Sequence, residues 1–367
     1  MKITVLGTRG IPDVLGGVET HCQNLYPQIK NLDSVNDITV IARSPYVNYK
    51  RSEYKGVLTK TIWAPKKKSL EAIIHSLLAS FSTLFDGSDV VHVHAIGPGL
   101  VVPLLRLMGK KVIFTHHGPD YDRQKWGGFA KKVLQFGELC AVKYASEVIV
   151  ISEVINNLIK DKYGRYDAHL VYNGVNKLPL IKSERISEVL NEYHLESKQY
   201  LVAVGRFVEE KGFHDLIRAY EKSGVQTPLV LVGDTDHATE YSEALKKLAS
   251  DTPGVILTGF QSGDVLQILF SQAKCFIMPS YHEGLPIALL EALSYSLPVY
   301  VSNIPANLEV GLDADCYFEV GNIDQLTQCL QRKITATTIS YDKYLQKYDW
   351  GKIAKQVLSI YNHALKK

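Results

Sequence analysis

Short runs of β-branched and aliphatic residues alternate with longer stretches at helical spacing, and the alternation occurs twice. KITVLG, DITVIAR, DVVHVHA, KVIFTHH and EVIVIS mark the first half. After VYNGVNKLPL the rhythm restarts with YLVAVGR, PLVLVGD, VILTG, CFIMPS and PVYVSN. Most runs are continuously apolar, as parallel strands covered by helices on both faces require. The pattern predicts an α/β chain with two Rossmann-like, doubly wound domains in tandem, and 367 residues suit two domains. Asn173-Gly174 and Pro179 mark the expected junction, giving domains at 1–172 and 173–349. The last segment, 350–367, has apolar residues at helical spacing and is expected to pack back on the first domain.

No apolar run approaches the roughly 20 residues that span a bilayer, and MKITVLGTRG passes directly into a strand pattern. A cytoplasmic protein is expected. Five scattered cysteines without a CxxC pair argue against a disulfide framework and a structural zinc site. The net charge of +3 hides an asymmetry: residues 1–172 carry 22 Lys+Arg against 15 Asp+Glu, or +7, leaving 19 against 23, or −4, for 173–367. Cations cluster at Lys66-Lys67-Lys68, Lys110-Lys111, Arg123 with Lys125, and Lys131-Lys132. An anionic membrane surface or a phosphate-rich ligand is the partner such clusters suit, with a solvated surface as the plain alternative. No nucleic-acid module accompanies them.

In open α/β sheets ligands bind beyond the carboxyl ends of the strands. The first such loop, GTRGIPDVLGGVET, sets Gly16-Gly17 before a helical pattern, where backbone amides can approach a phosphate or sugar. It lacks the G-x-G-x-x-G spacing, and the second strand ends in Ala42-Arg43-Ser44 rather than in a ribose-binding acid, which disfavours a dinucleotide reading. After YLVAVG come Arg206 and Lys211, two cations suited to a diphosphate without a metal. Ion pairing with Glu209 and Glu210 is the alternative. SYHEGLPIALLEAL then offers Glu283, amides at Gly284 and Leu285, and Glu291. Eight residues along a helix is a little over two turns, so the two carboxylates are expected on similar faces about a dozen ångströms apart. They would then accept bonds from two ends of an extended hydroxylated ligand.

The pattern E-G-L-P with a second Glu eight positions on, preceded by V-G-R-x-x-x-E-K-G, the Gly-Gly loop and T-x-H-G at Thr115 to Gly118, resembles glycosyltransferase family 4. Those are retaining enzymes of the GT-B fold, two Rossmann-like domains facing a cleft. GTRGIP, GGVET and HGPDYDRQKWG resemble the bacterial polysaccharide and O-antigen branch, which includes rhamnosyltransferases. The resemblance implies Arg206 and Lys211 at the donor diphosphate, Glu291 at the ribose and Glu283 at the sugar hydroxyls. It also implies His117 near the reacting carbon and Gly16-Gly17 closing over the phosphates from the opposite domain. Transfer would be metal-independent and need no cofactor. The acceptor would be a saccharide, lipid-linked, with the protein peripheral on the inner membrane face. His94, Tyr121, Arg123 and Trp126 are candidate acceptor-side residues. Asp234-Thr235-Asp236 matches a metal-binding D-x-D but is expected to be a solvated loop. A zinc cluster of His92, His94, His116 and His117 lacks a carboxylate or Cys at ligand spacing. A sugar-nucleotide epimerase or hydrolase, or a non-catalytic sugar-nucleotide sensor, are the alternatives. Product formed without acceptor would identify the first, and donor binding without turnover the second.

Overall fold

The computed structural model describes all residues except 15, 67, 120, 122–126, 177–178, 236–237 and 334–338, together with the side chains of 68–70. The chain divides into two compact units, Met1–Gly174 with Lys347–Lys367, and Val175–Gln346. In the first, strands β1 (Lys2–Leu6), β2 (Asp37–Arg43), β3 (Arg51–Tyr54), β4 (Val57–Ile62), β5 (Val90–His94), β6 (Lys111–His116), β7 (Glu147–Val150) and β8 (His169–Leu170) form one sheet. Their order is β3-β4-β2-β1-β5-β6-β7-β8. Every pairing is parallel except β3 with β4. The helices are α1 (Gly17–Leu32), α2 (Lys68–Ser82), α3 (Val102–Leu107), α4 (Gly128–Tyr144) and α5 (Glu153–Tyr163).

In the second unit a sheet of order β11-β10-β9-β12-β13-β14 is parallel throughout. It comprises β9 (Leu201–Val204), β10 (Leu229–Val232), β11 (Val255–Leu257), β12 (Cys275–Met278), β13 (Val299–Ser302) and β14 (Tyr317–Phe318). Its helices are α6 (Ser183–Glu192), α7 (Phe213–Ser223), α8 (Glu240–Asp251), α9 (Gly263–Ser271), α10 (Ile287–Ser294), α11 (Pro305–Leu308), α12 (Ile323–Gln331) and α13 (Asp342–Leu345). The chain then returns to the first unit as α14 (Trp350–Lys366).

Each of the ten apolar runs noted in the sequence forms a strand, and β3, β4, β8 and β14 are additional. Central strands are buried along nearly their whole length because helices cover both faces. In α14 the spacing of Ile353, Val357, Ile360 and Ala364 gives one apolar stripe, which joins Ile3, Val5, Leu25 and Ile29 in a single core. Gly174 permits this approach: a Cβ there would lie 2.3 Å from the Trp350 ring.

Both sheets reverse winding direction beside their first strand, between β1 and β5 in one and between β9 and β12 in the other. Each switch point is closed by a glycine at positive φ. A Cβ on Gly7 (φ 99°) would meet the His94 carbonyl oxygen at 2.1 Å, and one on Gly212 (φ 66°) would meet that of Pro279 at 2.2 Å. Only glycine lets the loop after the first strand lie on the backbone leaving its neighbour.

Candidate active site

At the second unit's switch point the loop after β9 runs through Gly205 and half-buried Arg206 to a short 3₁₀ turn, Glu209–Lys211. The Tyr281 amide bonds to the Glu210 carbonyl at 2.8 Å, pinning this turn to the loop after β12. Lys211 thereby meets Glu283: Nζ to Oε1 is 2.6 Å, and Ser280 Oγ donates to the same oxygen at 2.7 Å. Their side chains are only 19% and 10% exposed, so this charge pair sits in a largely dry recess at a strand's carboxyl end. Such a pair offers a cation to a phosphate and an acceptor to hydroxyls. Of the alternatives weighed for Lys211, pairing with Glu209 or Glu210 gives way to pairing with Glu283.

Glu283 is not on the helix that carries Glu291. Leu285-Pro286 delays the helix to Ile287, because a residue before proline is pushed out of the α region. The eight-residue helical spacing argued from the sequence therefore does not apply, and Gly284 and Leu285 lie in the preceding loop. Glu291 is held in α10 among buried Leu290, Ala292 and Leu293, and desolvation pushes its carboxyl up to about 7.

In the first unit Gly16 (φ 143°) precedes α1, and Gly17 opens it with free space where a Cβ would stand. Glu19, two residues into the helix, turns back to accept from the Arg9 amide at 2.8 Å, bracing the loop from β1. His117 is partly exposed, while His94 below it is fully buried and bonds Nδ1 to His117 Nε2 at 2.9 Å. The chain of bonds continues inward, from His94 Nε2 to Tyr26 Oη at 2.6 Å and from Tyr26 Oη to His92 Nδ1 at 3.0 Å. His92 ends at Thr115 Oγ1 and Tyr361 Oη, both at 2.7 Å. Burial holds His92, His94 and His117 well below the ordinary histidine range, and the neighbouring rings act in the same direction. All three are neutral at physiological pH, and His94 is fully buried beneath His117.

His116 takes no part in this cluster. It points to the other side of the sheet, where Nε2 bonds to Glu138 Oε1 at 2.8 Å. Burial alone would raise Glu138, but bonds from His116, Lys162 and Tyr163 outweigh it and hold the carboxyl at about 2. Tyr121 belongs to the same buried network, 7% exposed and bonded to Glu138 and Lys162, so its hydroxyl is committed internally. Arg123 and Trp126 lie outside the described residues, as do Lys125 and Asp236. Asp234 pairs with Lys246 at 3.0 Å, both about a third exposed, consistent with a solvated loop. Arg43 is spent on Glu71 at 2.7 Å, which removes it from any cofactor role.

Sequence reasoning missed His21. Four residues after Gly17, it lies one helical turn along α1 and turns toward His117, ring centroids 4.9 Å apart. Its Nδ1 bonds to Asn173 Oδ1 at 2.6 Å, and among the described residues its Nε2 is buried without a partner. One ring nitrogen each of His21, His94 and His117 lies within 4.8 Å of the others, the group among the described residues whose donors are compatible with a metal ion.

Residues 186–343 match the family described as "Glycosyl transferases group 1", and residues 15–177 match "Glycosyltransferase Family 4". The chain belongs to the glycosyltransferases and is a transferase. Within them it is a family 4 member of GT-B fold. An uncharacterized glycosyltransferase of Methanocaldococcus jannaschii is 23% identical over 401 residues, covering 100% of this chain and 99% of the relative. An O-antigen chain mannosyltransferase of Salmonella typhimurium is 25% identical over 230 residues, covering 59% of this chain and 60% of the relative. The Anabaena protein HepE, solved in complex with UDP and glucose, superposes with a TM-score of 0.78 at 16% identity over 99% of this chain and 100% of that one.

Proposed function

We propose that this transferase moves a hexose or deoxyhexose from a nucleoside diphosphate sugar to a lipid-linked saccharide, with retention at the anomeric carbon, in the assembly of bacterial surface polysaccharide. The observation that carries the reading is the Lys211–Glu283 pair at the β9/β12 switch point, with Arg206 on the same loop. A diphosphate draws Lys211 and Arg206, and Glu283 is then free to accept from sugar hydroxyls. Glu291 accepts from the ribose. In the first unit, His117 at the donor sugar and Gly16-Gly17 at the phosphates follow from the family pattern. The Salmonella relative's role in O-antigen assembly supports the polysaccharide reading.

The chemical demand is charge stabilisation on a departing diphosphate and orientation of the acceptor hydroxyl. In a front-face retaining mechanism the leaving phosphate takes the acceptor proton, so no protein nucleophile is required. Two cations on the diphosphate make a metal unnecessary. We propose peripheral contact with an anionic membrane, where a lipid-linked acceptor resides, with exposed Lys66 beside it. The test is a thermal-shift screen of nucleoside diphosphate sugars, since a bound donor raises the melting temperature by mass action. Transfer to lipid-linked saccharides by the selected donor follows. Lack of stabilisation by every nucleoside diphosphate sugar would refute the reading.

A further inference from the structure

His21 carries a buried ring nitrogen that nothing in the transferase reading uses. The residue is 4% exposed, and among the described residues its Nε2 has no hydrogen-bond partner. An unsatisfied polar atom away from water is costly, so what it faces matters. It faces two other imidazoles, with ring centroids 4.9 Å away at His117 and 5.4 Å away at His94. One nitrogen of each of the three rings lies within 4.8 Å of the others. The rings come from separate elements of the first unit: His21 is on α1, His94 ends β5 and His117 follows β6. The register of β5 against β6 sets His94 opposite Thr115, two residues before His117.

Hydrogen bonds on the far sides of the rings fix which nitrogens are offered. The Asn173 side-chain oxygen accepts from His21 Nδ1 at 2.6 Å, so in the neutral ring Nε2 holds the lone pair. His94 Nε2 meets Tyr26 Oη at 2.6 Å, and Tyr26 Oη meets His92 Nδ1 at 3.0 Å. When His94 Nε2 donates to Tyr26 and the Tyr26 hydroxyl donates to His92, Nδ1 of His94 is a second lone pair. His117 Nε2, 2.9 Å from that nitrogen, becomes the third once its ring proton sits on Nδ1. Outer partners of this kind hold the tautomer and orientation of metal-bound imidazoles.

Zinc takes imidazole nitrogen at about 2.0–2.1 Å, which puts tetrahedral ligands roughly 3.3 Å apart. The 2.9 Å pair opens slightly and the wider gaps close by ring rotation. Three neutral imidazoles without a carboxylate suit zinc, cobalt or copper rather than magnesium or calcium. The set fills three of zinc's four positions and leaves the last to water, and partly exposed His117 gives the ion an approach.

We propose that His21, His94 and His117 form a zinc site of three imidazoles, and that the loaded site inhibits transfer by taking His117 away from the donor sugar. The inhibition rests on the reading that puts His117 at that sugar, whereas zinc binding does not.

The test titrates metal-free wild type, without substrate, with Co²⁺, whose tetrahedral complexes absorb in the visible. The expected result is one ion per chain, displaced by Zn²⁺ and unaffected by Mg²⁺. His21→Ala should weaken binding at least about a hundredfold, and Asn173→Ala, which removes only the group orienting a ligand, about tenfold. An unchanged far-UV spectrum checks that each variant is folded. X-ray absorption of zinc-loaded wild type needs no variant and should count three imidazole nitrogens at about 2.0 Å. Lack of stoichiometric binding, equal affinity in His21→Ala, or a metal shell without three imidazoles would overturn the site. With free zinc buffered, transfer by wild type should fall as the site fills and return with EDTA. Full activity at saturating zinc would overturn the inhibition. Zinc binding by a protein that no nucleoside diphosphate sugar stabilises would instead refute the transferase reading and leave the site in place.

Discussion

Acidification should unfold the first unit while strengthening a group in the second. Burial holds His21 at about 4 despite the bond it donates to Asn173, and burial with the adjacent Arg43 holds His75 at about 4. An unfolded histidine takes up its proton near 6.5, so between these values the unfolded chain binds protons that the folded chain refuses. Each such histidine leaves stability intact above the unfolded value and withdraws it as pH falls toward the folded one. From about pH 7 to about pH 5 the loss is about 2 kcal/mol for each of the two. His92, His94 and His117 are shifted in the same direction and add to it. Two histidines alone should lower the midpoint of a unit this size by roughly 10 °C. Glu291 has the opposite sign: desolvation raises it to about 7, so its contribution is present at low pH and lost as pH rises through that value. The assay is specific to one unit, since Trp63, Trp126 and Trp350 all belong to the first. Tryptophan emission should therefore report a transition that moves down with acid, and His75→Gln should reduce the slope by about one histidine's share. A tryptophan-monitored midpoint that stays fixed or rises between the two pH values would refute the argument.

Lys211→Ala and Arg206→Ala should each lower transfer by a hundredfold or so, roughly 3 kcal/mol of transition-state charge stabilisation, with the melting temperature of the free protein little changed. Wild-type kcat in both variants would end the diphosphate assignment. Glu291→Gln should weaken donor binding and flatten its fall below about pH 7, where the wild-type carboxyl takes up a proton. A pH profile identical to wild type would remove Glu291 from the donor site. Activity should persist in EDTA. Loss on chelation, restored by a divalent cation, would instead direct attention to the His21, His94 and His117 group.

The continuous apolar strands were legible because a parallel sheet buries both faces of each strand, a pattern that survives without tertiary knowledge. β3 and β4 were not, since RSEY and VLTKTI are short, polar and paired at the sheet edge, where one face meets water. β8 and β14 have two residues each, too few for any period to register. In the candidate site, cations and carboxylates after strands could be picked out by type and position. Their pairing could not: Lys211 and Glu283 are 72 residues apart and meet because β9 and β12 are neighbours. Pro286 carries the signal that delays the helix to Ile287, through the restriction it places on Leu285. The histidine relay depends on the register of β5 against β6, which sets His92 opposite Ile113 and His94 opposite Thr115. In α2 periodicity separates two faces, but only the packed structure reveals that the serine and histidine face is the buried one.

The return of α14 to the first unit has a consequence for synthesis on the ribosome. The core around Ile3, Val5 and Leu25 lacks Trp350, Ile353, Val357 and Tyr361 until the last helix has emerged. Residues 175–346 are made in between, which at about 10 residues per second keeps that core open for on the order of 20 s. The unit that begins first is completed last. During that interval its exposed seam, between α1 and the sheet, is where a holding chaperone would bind and where a protease would cut a nascent chain.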